Sequence, residues 1–480
     1  MKNKISYSLA VIGMLVMASC NKDSLNPVPP TAISNISSFS TPDRVLNQTR
    51  ALYANFRSGQ FYGGRYTIYN DVRAEDFLNE TTNGVTGLEV WNHTLNNSSN
   101  PVKDLWGQAY YVINTCNVFL DGMAKEGSAV VGDALSKNYI AEARLIRGLT
   151  YYSLLQLYAR PYWDGNGSKP GLVIYTEGHT GAGNYDKARS TVAETYTQVL
   201  DDLNFAESNL PLNYATAAEN TTRAHRNTAI ALKTRVYLSM QNYPSVITEA
   251  NKIVSASAPY TAASGVAHAL QADIANVFKT PYTTTESIFS LPFNSNETPG
   301  TQNQLGYYFA KSTGNGEYSL NPAGIIADAN WKATDRRRSF IATVSGKPYL
   351  NTKFPGATPF TDWSPVIRYS EVLLNLAEAK ARTGSGVDAG ALALLNAVRQ
   401  RSDNTTTFAP ATQTDLINLI LNERRIEFLG EGRRSPDLLR LGATIPAKSN
   451  VAAIPSSAQA YIWPISSTEL QLNKLCVDNQ

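Results

Sequence analysis

The sequence predicts a mostly α-helical protein in which paired helices form a curved scaffold, with long irregular loops and a few short strands between them. Three observations predict this fold class. Apolar residues recur at three- and four-residue spacing in several separate stretches, which is the period of an amphipathic helix. These stretches follow one another in pairs along the chain. Between them lie polar segments that are longer than the connections within compact domains usually are.

The N-terminus has the pattern of a bacterial lipoprotein signal. Two lysines precede an apolar stretch at residues 5–17, which has the length of a signal peptide and is too short for a permanent membrane span. Small residues then lead to Cys20, as in a lipobox. We expect residues 1–19 to be the signal peptide and Cys20 to be acylated, because two or more acyl chains hold a protein stably at a membrane. An ordinary secretory signal with an incidental cysteine is the alternative.

Residues 20–40 are predicted to form a lipidated tether. This segment contains three prolines among many Ser and Asn residues and shows no hydrophobic periodicity. The first helix is expected to begin directly after it. Thr41 is a suitable N-cap, and Pro42 suits the first helical position because its missing N–H would have no partner there.

Five later stretches show the helical period clearly. Pro365 is expected to start one of them, Gly384 to follow its end, and Asp388 to cap the next. Short helices in sequential pairs are typical of tetratricopeptide-like hairpins, which stack into a curved scaffold. The five predicted helices are residues 141–158, 227–240, 365–382, 388–401 and 414–430.

Three long polar segments that carry Tyr and Trp separate the helices, at residues 59–100, 161–189 and 259–362. Short strands are expected inside them, for example at Ser287–Leu291, where β-branched and aromatic residues occur together. Binding residues are often found on loops that a rigid frame positions. We therefore expect the functional site among these loops.

The composition gives no support to several classes of function. With 42 basic and 39 acidic residues, a net charge of +3 offers no electrostatic reason to expect nucleic acid as a partner. Four His and three Cys, without CxxC or HxxxH spacing, do not support a zinc site, and neither a metal nor a cofactor is expected. Cys116 is expected to be a buried thiol on a helix. A disulfide between Cys116 and Cys476 is left open.

Several strings, in a fixed order, resemble those of the SusD/RagB family. The longest are AEARLIRGLTYYSLLQLYARPY from Ala141, PVIRYSEVLLNLAEAKART from Pro365 and NERRIEFLGEGRRSPDLLRLG from Asn422. Departures include Ser370, where Ala is usual. Shorter matching strings lie at residues 226–238, 395–401 and 462–473, so the similarity spans nearly the whole mature chain.

The resemblance implies a fold, a location and a role. The fold would be a SusD-like α-α superhelix in one domain at residues 41–480, with an N-terminal half at 41–240 and a C-terminal half at 260–480. The chain would be anchored by Cys20 to the outer membrane, facing the cell exterior. It would bind an oligosaccharide without altering it and deliver it to a SusC-like TonB-dependent transporter. Peptide binding, or a purely structural lid on the transporter, is the alternative.

The resemblance also implies ligand contacts in two separate stretches of the chain. Starch-binding relatives place Asp, Arg and Trp contacts in the first of them, and the second contributes further aromatic residues. The residues so implied are Asp71, Arg73, Asp76, Trp91, Asn92, Tyr307, Tyr308 and Trp331. Packing inside the loops is an alternative role for Trp91 and Trp331. Trp106 and Trp463 are expected to be buried.

The acidic residues of the predicted helices are expected to be structural. A guanidinium group can hold a carboxylate through two hydrogen bonds, and Arg and Glu three or four residues apart on a helix can pair. The rival interpretation, a glycosidase, requires one protonated acid, whereas a neighbouring cation lowers a carboxyl pKa. The structural set is Glu142, Arg144, Arg368, Glu371, Glu378, Glu423, Arg424, Glu427, Glu431, Arg433, Asp437 and Arg440.

Overall fold

The computed structural model describes residues 38–479. The predicted signal peptide, the acylation of Cys20 and nearly all of the tether lie outside the described residues. The first helix begins where the sequence predicts. Thr41 Oγ1 accepts a hydrogen bond from the backbone N–H of Arg44 at 3.4 Å, and Pro42 is the first helical residue.

Helices make up most of the regular structure. Several correspond to predicted stretches, and others, such as the one that begins at Tyr243, lie where no helix was predicted. Within residues 38–479 the α-helices are α1 Pro42–Phe56, α2 Arg65–Val72, α3 Leu88–Asn92, α4 Asn100–Gly122, α5 Ser128–Val131, α6 Asp133–Tyr158, α7 Val192–Asn209, α8 Ala217–Thr222, α9 Arg226–Ser239, α10 Tyr243–Ala250, α11 Leu305–Phe309, α12 Tyr369–Thr383, α13 Ala389–Ser402, α14 Gln413–Glu427, α15 Arg434–Arg440 and α16 Ser467–Leu472.

The long helices contact one another in a continuous series. Helix α1 packs against α4 and α6, α6 packs against α7, and α9 joins α7 to α10. Helix α12 then contacts α10 on one side and α13 and α14 on the other. Each helix therefore buries its apolar face against its neighbours in the series, as in a stack of helical hairpins. The predicted fold class, a helical scaffold with long loops and a few strands, is confirmed.

The strands are short and occur in antiparallel pairs: β1 with β3, β2 with β6, and β4 with β5. The expected strand at Ser287–Leu291 is present as β2. One prediction is wrong, because the stretch from Pro365 starts as a strand and becomes helical only at Tyr369. Pairing with β2 satisfies the backbone of this segment. The strands are β1 Phe77–Asn79, β2 Ser287–Leu291, β3 Tyr318–Leu320, β4 Ala342–Val344, β5 Lys347–Tyr349 and β6 Ser364–Arg368.

Helix α6 lies at the centre of the N-terminal half. Every residue from Tyr139 to Tyr158 is buried except Ile140 and Arg144, so this helix is enclosed on all sides. Trp106 and Trp463 are 3% and 1% exposed, which confirms that both are buried. Cys116 and Cys476 are both buried and free, so no disulfide joins them. Among residues 38–479, no helix has the length and apolar character needed to cross a bilayer.

Buried ion pairs hold the helices of the C-terminal half together. Arg368, at the end of β6, contacts Glu286, donates to Glu431 at 2.8 Å and donates to Glu427 at 2.9 Å. Burial opposes ionisation of Glu427, but the surrounding guanidinium groups, led by that of Arg401, hold the pKa of this carboxyl far below its ordinary value. These acids therefore have the structural role that the sequence suggests.

Candidate ligand-binding site

The first stretch of implied ligand contacts lies at the end of α2, and its charged side chains point to internal partners. Asp71 Oδ2 accepts a hydrogen bond from the backbone N–H of Gly432 at 2.8 Å. Arg73 donates from Nη2 to the carbonyls of Ala460 and Tyr461, at 2.9 and 2.6 Å. The corresponding partner of Asp76 is Arg425, which donates two hydrogen bonds of 2.8 and 2.5 Å. All three residues are at most 2% exposed.

Trp91 is likewise held inside the protein. Its indole N–H donates to the carbonyl of Phe77 at 2.8 Å, and the ammonium of Lys448 lies 5.4 Å from the ring centroid. The side chain is 7% exposed, so little of the ring is open to solvent. Asn92, the last residue of α3, is half-buried.

The second stretch places one aromatic residue near solvent and two in the interior. Tyr307 is half-buried, and its hydroxyl accepts a hydrogen bond from Gln302 Nε2 at 3.4 Å. Tyr308 is fully buried and stacks on Tyr318, with ring centroids 6.1 Å apart. Trp331 is 2% exposed, and the guanidinium of Arg338 covers its ring at 4.2 Å.

The fold brings the two stretches together even though they are more than 200 residues apart. Strand β1 follows Asp76 directly and pairs with β3, so that Phe77 lies opposite Leu320. Asp76 Oδ1 also accepts a hydrogen bond from the backbone N–H of Ile325 at 2.8 Å. The residues that the resemblance implies therefore lie in one region of the fold. Most of their side chains, however, contact other residues of the protein. The ligand-binding roles of these eight residues stay predictions.

A cavity with a volume of about 700 Å³ lies beside this region. It is bounded by the loop that follows α6 and by the segment that leads into α16. Sites for small molecules are usually concave, with a few polar groups placed around apolar ones. The main lining residues are Arg160, Trp163, Asp164, Lys169, Ser456, Ser457, Gln459, Ile462, Asp478 and Asn479.

Trp163 provides the aromatic surface of this first cavity. Its indole N–H donates to the carbonyl of Leu439 at 2.8 Å, which fixes the ring, and the side chain is half-buried. Beside it, Arg160 donates to Asp164 at 2.5 Å and to the carbonyl of Ser456 at 2.6 Å. An anchored indole with charged and hydroxyl groups around it suits a ligand that has apolar faces and polar edges.

A second cavity of about 300 Å³ adjoins the first. The two share lining residues, including Gln459, Ile462, Asp478 and Asn479. The side-chain amide of Asn479 donates to the carbonyls of Tyr158 and Trp463, both at 2.7 Å, and so fixes this wall. We call the two cavities together the paired cavity. The residues that line only its second part include Arg73, Val90, His93, Leu95, Asn96, Asn97 and Trp463.

His93 presents a neutral imidazole at the second cavity. Its Nε2 lies 2.8 Å from the carbonyl oxygen of Arg73, which can only accept, so Nε2 carries the proton and Nδ1 is an acceptor. Burial, with the charge of Lys448 nearby, lowers the pKa of His93 to about 4. The ring therefore stays uncharged at neutral pH and can accept a hydrogen bond.

Of the residues implied by the resemblance, only Arg73 lines the paired cavity. Trp163 and His93 are not among the eight residues that the resemblance implies, although both lie in the long polar segments where binding is expected. An aromatic residue next to the glycines of such a loop is a local signal that could have found Trp163. No local signal marks residues 456–479, because their part in the cavity depends on contacts with distant segments.

The acids of the described region do not form a catalytic pair in the paired cavity. Asp164 is bound to Arg160, and Asp478 Oδ1 accepts from the backbone N–H of Ile465 at 2.7 Å. Burial raises the pKa of Glu142, but this acid is fully buried and hydrogen-bonded to Arg223. Among residues 38–479, no group of three or more His, Cys, Asp or Glu is arranged to hold a metal ion.

Two family models match adjoining parts of the chain. Residues 238–480 match the model described as the SusD family. Residues 39–238 match the model described as "Starch-binding associating with outer membrane". Together the two models cover the chain from just before α1 to its last residue.

Individual proteins are similar to the chain over nearly its whole length. The SusD-like protein P2 of Formosa agariphila is 25% identical over 538 aligned positions, which cover 100% of this chain and 99% of that protein. A SusD superfamily protein from Bacteroides fragilis is 30% identical, with a TM-score of 0.81 over 92% of this chain and 99% of that one. Another, from Bacteroides thetaiotaomicron, shares the fold with a TM-score of 0.80 at 24% identity, covering 92% and 100%.

Proposed function

The chain belongs to the SusD family, and on that premise we propose that it is a surface lipoprotein that captures an oligosaccharide. It passes the ligand to a SusC-like TonB-dependent transporter of the outer membrane without altering it. One of the matching family models is described as starch-binding and as associating with the outer membrane. The family is one of binding proteins rather than enzymes.

The observation that carries this proposal is the paired cavity with the fixed indole of Trp163. A sugar ring has an apolar face that stacks on an aromatic ring and hydroxyl groups that require donors and acceptors. The cavity wall supplies both kinds of group, from Arg160, Asp164 and Gln459 around the indole. Its two parts, of about 700 and about 300 Å³, are within the range of about 300–1,000 Å³ that is usual for small-molecule sites.

Replacing Trp163 with Ala tests the proposal. Calorimetry would be run with a panel of defined oligosaccharides, including malto-, xylo-, laminari- and galacto-oligosaccharides. The affinity for any bound member should fall at least about tenfold, or about 1.4 kcal/mol, because an anchoring aromatic side chain is lost. Trp363→Ala is the matched control, because Trp363 is also half-buried but does not line the paired cavity.

Two outcomes would contradict oligosaccharide binding in the paired cavity. One is unchanged affinity in Trp163→Ala protein whose melting temperature is also unchanged. The other is the absence of binding to every oligosaccharide together with binding of unstructured peptides, which would support the peptide-binding alternative. Turnover of any panel member by the purified protein would contradict the proposed absence of catalysis.

Exposed apolar residues next to the paired cavity support a protein partner at this face. Leu472, Leu475 and Val477 are 77%, 56% and 69% exposed, and Val477 directly precedes the cavity residue Asp478. Clustered exposed apolar side chains often mark interaction surfaces. We expect the double variant Leu472→Asp, Leu475→Asp to keep its fold and oligosaccharide affinity but to lose co-purification with the transporter. Retained co-purification would place the transporter contact elsewhere.

Anchoring at Cys20 is part of the same proposal. The Cys20→Ala variant of the full chain should no longer incorporate labelled palmitate and should leave the outer-membrane fraction, because the acyl chains supply the membrane affinity. Protease treatment of intact cells tests the outward orientation. Protection of the wild-type protein from added protease would contradict exposure at the cell surface.

A further inference from the structure

The guanidinium group of Arg73 is buried without a carboxylate partner. It is 2% exposed, its Nη2 is used by two backbone carbonyls, and its Nη1 has no hydrogen-bond partner among residues 38–479. A buried cation that lacks an anion is costly, since desolvation is not repaid by Coulomb attraction. Burial accordingly lowers the pKa of Arg73 to about 10.

Most other buried arginines of the protein differ from Arg73 in this respect. Arg440, for example, donates two hydrogen bonds of 2.7 Å to Glu378 and a third, of 2.8 Å, to Asp437. The buried arginines that pair with at least one carboxylate are Arg147, Arg235, Arg337, Arg368, Arg399, Arg424 and Arg440. Arg73, by contrast, forms no ion pair within the described part of the chain. Arg433 also forms no ion pair among the described residues, but, although burial opposes its charge, the nearby carboxylate of Glu371 raises its pKa.

A second buried cation lies next to Arg73. Lys448 is 2% exposed, and its ammonium donates to the carbonyls of Val72, Arg73 and Ala74 at 2.5, 2.8 and 2.9 Å. Within residues 38–479 it also forms no ion pair with a carboxylate. Glu75 and Asp76 lie near it, but both are bound to Arg425, and Glu75 is bound to Arg434 as well.

The second cavity adds further groups that suit an anion. Trp463 lines it, and the indole N–H of this residue, which is 1% exposed, has no acceptor among the described residues. Asn96 and Asn97 also line this cavity. The one acid among its lining residues, Asp478, uses Oδ1 to accept from the backbone N–H groups of Ile465 and Asn479.

We propose that the second cavity receives the carboxylate of an acidic sugar residue, while the first cavity holds the adjoining part of the oligosaccharide. This inference rests on the proposed function and names its substrate class: glycans that contain uronic acids. The Arg73 guanidinium supplies a charge-assisted donor that no carboxylate of the described chain uses, and the Trp463 indole supplies a second donor. The ammonium of Lys448 lies close by, on the backbone carbonyls of residues 72–74.

The test compares D-glucuronate with D-glucose, which differ at C6 by a carboxylate in place of a hydroxymethyl group. Binding to the full mature protein would be measured by ligand-observed NMR titration. We expect D-glucuronate to bind at least tenfold more tightly than D-glucose. Asn97→Asp places a negative charge on the cavity wall and should remove this preference. Asn204→Asp, on the exposed face of α7, is the matched control and should leave it unchanged.

Substitution of Arg73 removes structural hydrogen bonds as well, so Trp463→Phe is the second variant. It keeps an aromatic ring in the core but removes the five-membered ring of the indole together with its N–H, and it should weaken D-glucuronate binding more than D-glucose binding.

The outcomes separate this inference from the proposed function. Equal affinity for D-glucuronate and D-glucose, or a preference that survives Asn97→Asp, overturns the acidic-sugar assignment and leaves neutral oligosaccharide binding intact. Binding of acetate and of peptide C-terminal carboxylates, with no binding of any sugar, overturns both.

Discussion

At the scale of single residues, most of the charged side chains named in the sequence analysis form hydrogen bonds or ion pairs within the protein and do not face a ligand. Asp71 and Asp76 connect α2 to segments more than 340 residues later in the chain, at Gly432 and Arg425. The resemblance implies ligand contacts for both residues, and local sequence gives no sign that their side chains point inward. Whether a side chain faces solvent depends on segments that are distant in the sequence.

Removing one member of a buried ion-pair group should be costly. Arg440→Met removes a positive charge from beside the buried carboxylates of Glu378 and Asp437. We expect the free energy of unfolding to fall by about 3–5 kcal/mol. Denaturant titration measures the change. Arg336→Met is the control, because the pair with Asp273 is exposed and should contribute less than about 1 kcal/mol. Similar losses in the two variants would contradict this account.

Two buried histidines should make the protein sensitive to mild acid. His225 and His268 stack with ring centroids 5.2 Å apart, and burial lowers their pKa values to about 3 and about 4. Their ordinary pKa is higher, so below about pH 6.5 the unfolded chain binds protons first and folding stability is lost as pH falls.

The loss should reach roughly 2 kcal/mol for each histidine at about pH 5. The measurement is the free energy of unfolding of wild type and of the His225→Gln, His268→Gln variant at about pH 7.5 and pH 5. Between about pH 7.5 and pH 5 the wild type should lose more of its free energy of unfolding than the variant loses. An equal difference at both pH values would show that these rings do not titrate as described.

At the scale of elements, the sequence predicts the helices well because each carries its own period and end signals. Asp388, for example, caps α13 as expected by accepting from the backbone N–H of Ala391 at 2.7 Å. The strand β6 is not predicted because Val366 and Tyr369 fit the same three- to four-residue spacing as the apolar residues of α12. Its pairing with β2, about 80 residues earlier, has no local signature.

The capping box of α7 gives a prediction at this scale. Thr191 Oγ1 accepts from the backbone N–H of Glu194 at 3.1 Å, and Glu194 accepts from the backbone N–H of Thr191 at 2.7 Å. Thr191→Ala should lower the free energy of unfolding by about 1 kcal/mol. Thr197→Ala, an exposed position on the same helix, should change it by only a few tenths of that amount. Equal effects in a denaturant titration would contradict a stabilising cap.

At the scale of the whole molecule, the two halves of the chain are joined through buried side chains. Arg73 bonds to the carbonyl of Tyr461, Asp76 to Arg425, and Arg235 to Glu371. The paired cavity lies where such ties converge, between the loop after α6 and the segment before α16. The fold class was predictable from local periodicity, whereas this cavity was not, because its walls come from segments about 300 residues apart.

We propose from these ties that residues 41–480 act as one domain. Calorimetry of the mature protein should then show a single unfolding transition, and Asp76→Asn should lower its temperature without splitting it. Two separate transitions, one for each half, would contradict this proposal.

The proposed function depends most on the paired cavity being the place where a sugar binds. A crystal structure of the protein with an oligosaccharide selected from the calorimetric panel tests this most directly. We expect density for sugar rings against the indole of Trp163 that extends past Gln459 toward Arg73. Sugar density at another surface, with the paired cavity empty at saturating ligand, would contradict the account.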